Sequence, residues 1–368
     1  MPAARRPRPG ARGAARRGAH AVATMGRRAR NEVLAPVLAG LAMSIAPTDP
    51  LERLAGSLEA RVPSKRMLII VNPYATTVSD RLKNLVVYAL QSRYEVDAID
   101  TEARDHATEL CREAAREGYD VVVAFGGDGT VNEAANGLAG SDTPLTCLPG
   151  GRTNVYCRML GIPTEVVDAT EHLLHLADDW RPRRVDLARV NDRYFLFSAG
   201  VGLDASVVEQ VDAHPRLKAR YGEWYYTAVS IRTFTRRYLF RPPKLEATIG
   251  SEAVRGVTVI VQNGTPYTYF GERPVNMGEG AELTSGDLAG VVLERASAID
   301  VPTVIWRALS QRARLARHRR VHPFTGVPGL RVRSLDDRPL PLQVDGDFIG
   351  AVPEATFGVT PGGIAVVA

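Results

Sequence analysis

Gly126-Gly127-Asp128-Gly129-Thr130 is the stretch of this sequence best suited to chemistry. Glycines lack a Cβ and let the backbone come close to a ligand. The residues before them, Val121 to Phe125, form a continuous apolar run, the pattern of a short strand buried on both faces. The residues after them place Val131, Ala134, Ala135 and Leu138 at helical spacing. The whole reads as strand, glycine turn, helix N-terminus, where free N–H groups and the helix dipole favour an anion. Thr130 can cap that helix, with Glu133 as the other half of a capping box. An ordinary βα turn would share these features, but adjacent glycines followed by Asp-Gly-Thr are a more specific pattern.

Two further groups of residues invite chemistry. Leu145 to Leu148 runs into Pro149-Gly150-Gly151-Arg152-Thr153-Asn154, again strand, glycine turn, helix. Arg152 could meet a phosphate by charge, Thr153 by its hydroxyl, and Asn154 could either join them or cap the following helix. Near the C-terminus, Val344-Asp345-Gly346-Asp347 brings two carboxylates together. A carboxylate can accept a proton from an attacking hydroxyl; an Asp-Gly pair is equally the mark of a hairpin turn.

The elements around these groups alternate. Met67 to Val71 is an apolar strand ending in Asn72-Pro73, a turn signal. A helix follows through Leu82, Leu85, Val86 and Leu90, then a strand at Tyr94–Ile99, a helix at Thr101–Glu117, and the glycine-turn strand. Such alternation implies a parallel, doubly wound sheet, with ligands at the carboxyl ends of its strands. Asn72, Thr101 and Gly126–Thr130 all fall there. After about residue 183 the pattern changes to short strands with turn signals, at 244–249, 256–262, 290–294, 329–333 and 341–344.

A chain of 368 residues, 45% apolar, is long enough for two domains. Its formal charge of +5 is carried by a tail: residues 1–30 hold nine Arg and no acid, and the remainder has a slight acidic excess. That tail is expected to be disordered, and residues 1–66 as a whole to be disordered or weakly helical. Val33–Ala46 is too short to span a bilayer. Cys111, Cys147 and Cys157 form no metal or disulfide spacing, which fits a reducing compartment. Trp306–His322 holds six Arg and two His, with Trp306, Leu309, Ala313 and Ala316 near one helical face. It reads as a basic amphipathic helix, able to lie on an anionic bilayer or to cover the second domain.

GGDGTVNEAANGL resembles the signature of the diacylglycerol kinase catalytic family, which includes bacterial lipid kinases and the sphingosine and ceramide kinases. NAD kinases share its core. Four further segments in the same order favour the lipid kinases: Leu148-Pro149 with Gly151 and Asn154; Gly200-Val201-Gly202-Leu203-Asp204-Ala205; Val259 to Gly264; and Asp345-Gly346-Asp347. The resemblance spans about residues 67–368. Arg152 and Val155 depart from it where Thr and Asp are usual, as do Ser285 for Asp and Asp347 for Glu.

The resemblance implies a Rossmann-like nucleotide domain (67–182), then a mainly antiparallel β-sandwich lipid-substrate domain (183–355). A final strand (356–368) would return to the first domain, with an ATP cleft between the two. It implies an ATP-dependent lipid kinase acting on diacylglycerol or a related lipid, with Mg2+. ATP contacts are expected from Asn72, Pro73, Thr76, Thr101, Gly126, Gly127, Asp128, Gly129, Thr130, Asn132, Glu133, Gly151, Arg152, Thr153 and Asn154. Asp345 and Asp347 would be the catalytic carboxylates. Asp128 would hold the metal, with Asp287, two places beyond Ser285, as a further candidate. The aromatic residues Tyr221, Trp224, Tyr225, Tyr267, Tyr269 and Phe270 are candidates for the lipid pocket or for core. A lipid kinase of this kind would be cytoplasmic, touch the membrane peripherally, need no nucleic acid, and could pair as a homodimer. The rival readings are an NAD kinase-like enzyme and a catalytically impaired lipid- or nucleotide-binding regulator.

Overall fold

β1 (Arg66–Val71), β3 (Val121–Gly126) and β4 (Leu145–Pro149) are almost wholly buried along their length. Their mostly apolar, buried runs mark a parallel sheet covered on both faces. The structure is a computed structural model, and it describes residues 65–213, 228–229, 232–233, 242–310, 312–336 and 338–368. The expectations for residues 1–64 and for Tyr221, Trp224 and Tyr225 lie outside the described residues.

The first lobe is parallel, in the order β2-β1-β3-β4, with β2 (Glu95–Asp100) at the edge. Edge position explains the polar alternation of β2 and its exposure. The covering helices are α1 (Asp80–Leu90), α2 (His106–Glu117), α3 (Asp128–Leu138), α4 (Val155–Leu160) and α5 (Val166–Leu176). Ser79 caps α1, its Oγ accepting from the Leu82 amide at 3.3 Å. The sequence pattern starts α2 at Thr101. The chain instead ties Thr101 to the end of β1 through a 2.8 Å bond from its amide to the Val71 carbonyl, and turns through Asp105 at φ 63°. The helix therefore begins at His106.

The second lobe opens with β5 (Arg183–Val190), β6 (Arg193–Phe195), β7 (Ser198–Gly202) and α6 (Leu203–Asp212). It continues through β8 (Leu245–Ile249), β9 (Glu252–Gly256), β10 (Thr258–Gln262), the hairpin β11 (Thr268–Phe270) with β12 (Arg273–Val275), and β13 (Leu288–Leu293). After α7 (Asp300–Leu309) come β14 (Val321–Val327), β15 (Gly329–Ser334), β16 (Leu340–Val344), β17 (Asp347–Val352) and β18 (Glu354–Val366). One antiparallel sheet has the order β14-β13-β10-β7-β16-β17. It packs on β5, β6, β8, β15 and β18 through a core that includes Phe195, Val201, Val261, Val332 and Phe357. Phe195 and Phe357 meet edge to face at 6.3 Å between centroids. The fold is thus α/β with a parallel-sheet lobe followed by an antiparallel one.

β18 belongs to both lobes. Its first residues pair with β15, it runs antiparallel to β5, and Val366 reaches β4 in parallel register with Leu145. The two lobes therefore share one continuous sheet.

The amphipathic reading of Trp306–His322 is corrected. α7 ends at Leu309, Leu315–Arg317 is a single 3-10 turn, and His322 sits in β14. Ser310 stops the helix: it is extended, and its Oγ accepts from the amides of Arg312 and Ala313. Among the described residues no helix is long and apolar enough to cross a membrane.

Candidate active site

The two glycine turns touch each other backbone to backbone. The Gly150 amide donates to the Gly126 carbonyl at 2.8 Å. A Cβ on Gly151 would stand 2.8 Å from the Gly127 Cα, and one on Gly150 equally close to Gly126. Only glycine permits this approach. The two turns form one surface of main chain at the carboxyl ends of β3 and β4, where such sheets take ligands.

Neighbouring side chains hold the turns rather than line them. Asn154, at φ 48°, accepts from the Gly151 amide at 2.9 Å and donates to the Gly151 carbonyl at 2.8 Å. Its side chain makes no cap bond to α4, so it serves the turn, not the helix. The expected capping box at α3 is also not formed. Gly127 is the N-cap, and the Thr130 Oγ1 accepts from Asn72 Nδ2 at 3.1 Å. Asn72 thus ties the end of β1 to the glycine turn. Thr77 does the same for the second turn, its amide donating to the Gly150 carbonyl at 3.1 Å. Sequence reasoning singled out Thr76; both threonines are exposed, and it is Thr77 whose amide and hydroxyl reach the second turn, a difference for which a run of two threonines gave no signal. Pro73 and Arg152 are exposed at the mouths of the turns, and Thr153 is half-buried.

Asp128 opens α3 and its Oδ1 accepts from the Tyr156 amide at the start of α4, at 3.1 Å. Burial pushes its carboxyl up, against the pull of the Tyr156 and Val155 amides and of Arg158. A carboxylate has about four lone-pair sites, more than the Tyr156 and Val155 amides fill, so Asp128 is able to take a cation as well.

The second lobe meets α3 through the turn between β16 and β17. Asp347 comes so close to the first turn of α3 that a Cβ on Gly129 would overlap its Oδ2 and lie 3.3 Å from its Cγ. A carboxylate and a glycine helix start therefore face each other across the lobe boundary. The helix dipole there favours a negative charge.

Asp345 plays a different part. It is 4% exposed and sits at φ 47°. Its Oδ2 accepts from the Leu196 amide at 2.7 Å and Asn132 Nδ2 at 2.8 Å, and its Oδ1 from the amides of Phe197 and Ser198 at 3.0 and 3.1 Å. Burial raises its pKa from 3.8 to about 6, although these donors pull the other way. With every oxygen engaged, Asp345 fixes the turn that carries Asp347. Asn132, expected among the ATP contacts, is spent on the same task. It is 2% exposed, and its amide bonds Asp345, the Tyr194 carbonyl and Arg193. Glu133 lies on the α2 side of α3, where its charge acts on Cys111 and its carbonyl accepts from Thr108.

A second brace was not legible in the sequence. Gln343 Oε1 accepts from the Gly346 amide at 3.0 Å, and its Nε2 donates to Asp204 Oδ2 at 2.7 Å. The Tyr267 hydroxyl donates to the other oxygen of Asp204 at 2.7 Å. Burial raises the Asp204 carboxyl, and these two bonds counter it. The Asp345–Asp347 turn is thereby held from both sides. Tyr267 also packs in the core under α7, while Phe270 is exposed at the hairpin tip. Tyr269 lies under the Arg158 guanidinium, 4.5 Å from its ring centroid.

Asp287 is not brought to this site by any described bond. Ser285 Oγ donates to its Oδ1 at 2.7 Å, closing its own loop. That loop is anchored by Asp186, which accepts from the amides of Gly286 and Gly362. No group of three His, Cys, Asp or Glu side chains suited to a metal occurs among the described residues.

Comparison with known proteins agrees with the sequence resemblance. Residues 66–190 match the model of the diacylglycerol kinase catalytic domain. The chain is 26% identical over 294 residues to a diacylglycerol kinase of Staphylococcus saprophyticus, covering 78% of this chain and 91% of that one. It is 27% identical over 296 residues to one of Staphylococcus aureus, covering 78% and 88%. A crystal structure from Bacillus anthracis has the same fold, with TM-score 0.65 and 23% identity over 84% of this chain and 96% of that one. Another, of a diacylglycerol kinase from the same organism, gives TM-score 0.61 and 19% identity over 82% and 96%. The chain resembles the diacylglycerol kinase catalytic family in sequence and in fold.

Proposed function

We propose that the chain is an ATP-dependent lipid kinase that moves the γ-phosphate of ATP to the hydroxyl of diacylglycerol or a related lipid. The observation that carries this reading is the approach of Asp347 to Gly129, which sets a carboxylate of one lobe against the glycine turn of the other. The match of residues 66–190 to the diacylglycerol kinase catalytic domain supports the reaction class, and the names of the curated relatives support the substrate.

Phosphoryl transfer asks for positioning and charge neutralisation more than covalent chemistry. Backbone N–H groups of the first glycine turn and the start of α3, packed against the second turn, would bind the phosphates. Arg152, exposed on the second turn, adds a positive charge. Asp347 accepts the proton of the lipid hydroxyl as its oxygen bonds to the γ-phosphorus and the bond to the ADP oxygen breaks. Asp345 does not touch the reacting atoms; it positions Asp347. Mg2+ takes one or two carboxylates together with phosphates and water, a demand that Asp128 fits; when bound it neutralises phosphate charge. Asp287 has no part in this reading. The lipid substrate puts the enzyme at the cytoplasmic face of a membrane, where ATP is available.

The test is transfer of labelled phosphate from ATP by the purified chain, offered diacylglycerol in detergent micelles and, separately, NAD. Label in the lipid is expected. Label in NAD alone would overturn the reading. The same assay on a total lipid extract, with the product weighed by mass spectrometry, identifies the preferred lipid.

A further inference from the structure

α7 is apolar on two sides. Its inner side, Val301, Val304 and Ala308, packs into a small core with Ile260, Val291 and Leu293 of the antiparallel sheet. Its outer side carries Pro302, Ile305, Trp306 and Leu309, spaced as one helical stripe. Ile299 stands at the helix N-cap. Ile299 is 76% exposed, Trp306 61%, Ile305 46% and Leu309 42%. Single exposed apolar residues are ordinary; a contiguous group of large ones on one helix marks an interaction face.

The charges beside the stripe say what it meets. Arg312 and Arg317, just beyond the helix, are exposed, and neither makes an ion pair among the described residues. Arg307, on the helix, donates to the Arg314 carbonyl, which leaves its charge uncancelled. Two acids of this region are already engaged: Asp300 with Arg319 and Arg320, and Glu279 with Arg314. An apolar stripe with an indole, edged by uncompensated guanidiniums, is complementary to an anionic lipid surface. The acyl boundary takes the apolar side chains and the phosphates take the arginines. A second copy fits less well, because a two-fold pairing of this face opposes the same cations.

We propose that the outer face of α7 is where the protein docks on an anionic bilayer. Trp306, Ile305 and Leu309 enter the boundary between headgroups and chains, and Arg307, Arg312 and Arg317 meet lipid phosphates. The proposal rests on the lipid-kinase reading only for its purpose. The face lies on the same small core as Tyr267, whose hydroxyl holds Asp204 and through it the brace on the Asp345–Asp347 turn. Docking there puts the lobe that carries Asp347 against the membrane.

The test is co-sedimentation of the full chain with vesicles of phosphatidylcholine alone or mixed with phosphatidylglycerol. Wild type, Trp306→Asp and the double variant Arg312→Glu/Arg317→Glu are compared. Wild type should sediment with the anionic vesicles. Trp306→Asp should lose most of that binding, and the double variant should lose the preference for anionic lipid. All three should phosphorylate a short-chain diacylglycerol, dissolved as monomers, at the same rate. Equal vesicle binding by wild type and both variants overturns the docking face, whatever the kinase result. So does light scattering that finds a wild-type dimer broken by Trp306→Asp, with no vesicle binding by either; the occupant is then a second copy. If vesicle binding follows the predicted order but no form phosphorylates the short-chain lipid, the docking face stands and the kinase reading fails.

Discussion

Asp347 and Gly129 lie far apart in the chain and in different lobes, yet no side chain could be added to Gly129 without meeting the Asp347 carboxylate. The start of α3 and the start of β17 are fitted to each other at this point. A helix N-terminus that favours anions thus stands beside a group able to take a proton.

Gly129→Ala tests that fit. Alanine is a better helix former than glycine by about 1 kcal/mol, so α3 itself should not suffer. The new methyl must push Asp347 aside, and a displacement of that size can cost about 10²-fold in rate. Steady-state assays should find kcat strongly reduced with an unchanged or slightly raised Tm. Unreduced kcat would mean that the position of Asp347 does not matter.

Gly151→Ala separates the two glycine turns, because its Cβ would stand 2.8 Å from the Gly127 Cα. The main damage should fall on nucleotide binding, weakening it by roughly tenfold, or about 1.4 kcal/mol. Titration calorimetry with a non-hydrolysable ATP analogue measures this. Wild-type affinity would show that the paired turns are not the phosphate surface.

Gln343→Met removes both bonds of the brace between Asp204 and the Gly346 amide at similar side-chain size. Leaving buried polar groups unpaired costs about 1–3 kcal/mol, so Tm should fall. The loosened turn should lower kcat while KM for ATP stays near wild type, because the glycine turns are untouched. A rise in KM for ATP with kcat unchanged would contradict the assigned role.

Asp345 makes stability depend on pH. Its folded-state pKa, raised from 3.8 to about 6, means that the folded protein holds this proton more tightly than the unfolded chain. Its contribution is therefore fully present below about pH 4 and lost as pH rises through 6, a change of about 3 kcal/mol. Asp345→Asn abolishes the titration. Melting curves of both proteins between about pH 4 and 7 should show wild-type Tm falling relative to the variant as pH rises. A constant difference would show that burial does not perturb this carboxyl.

The parallel sheet and its glycine turns could be read from the sequence because they are local. Val121–Phe125 is buried on both faces, so its composition states its environment, and Gly126 and Gly127 follow where the backbone must come close. What was not legible depends on partners distant in sequence. Asn132 sits within the glycine motif and reads as a ligand for ATP, but its amide is claimed by Asp345 and Tyr194 of the other lobe. Gln343 carries no motif, and its importance appears only once Asp204 and Gly346 lie on either side of it. The Arg-rich segment after Trp306 has helical spacing throughout, yet Ser310 ends the helix by bonding the next amides, and residues beyond Arg320 find a strand partner in β13. Periodicity could not anticipate that pairing.

The most direct test of the account is the turnover of Asp347→Asn on diacylglycerol. The substitution keeps the shape of the side chain and removes its ability to take the hydroxyl proton. kcat should fall by about 10²–10⁴-fold, with Tm and the affinity for the ATP analogue as in wild type. A kcat equal to the wild-type value would contradict the assignment of Asp347 as the base and, with it, the role given to its approach to Gly129.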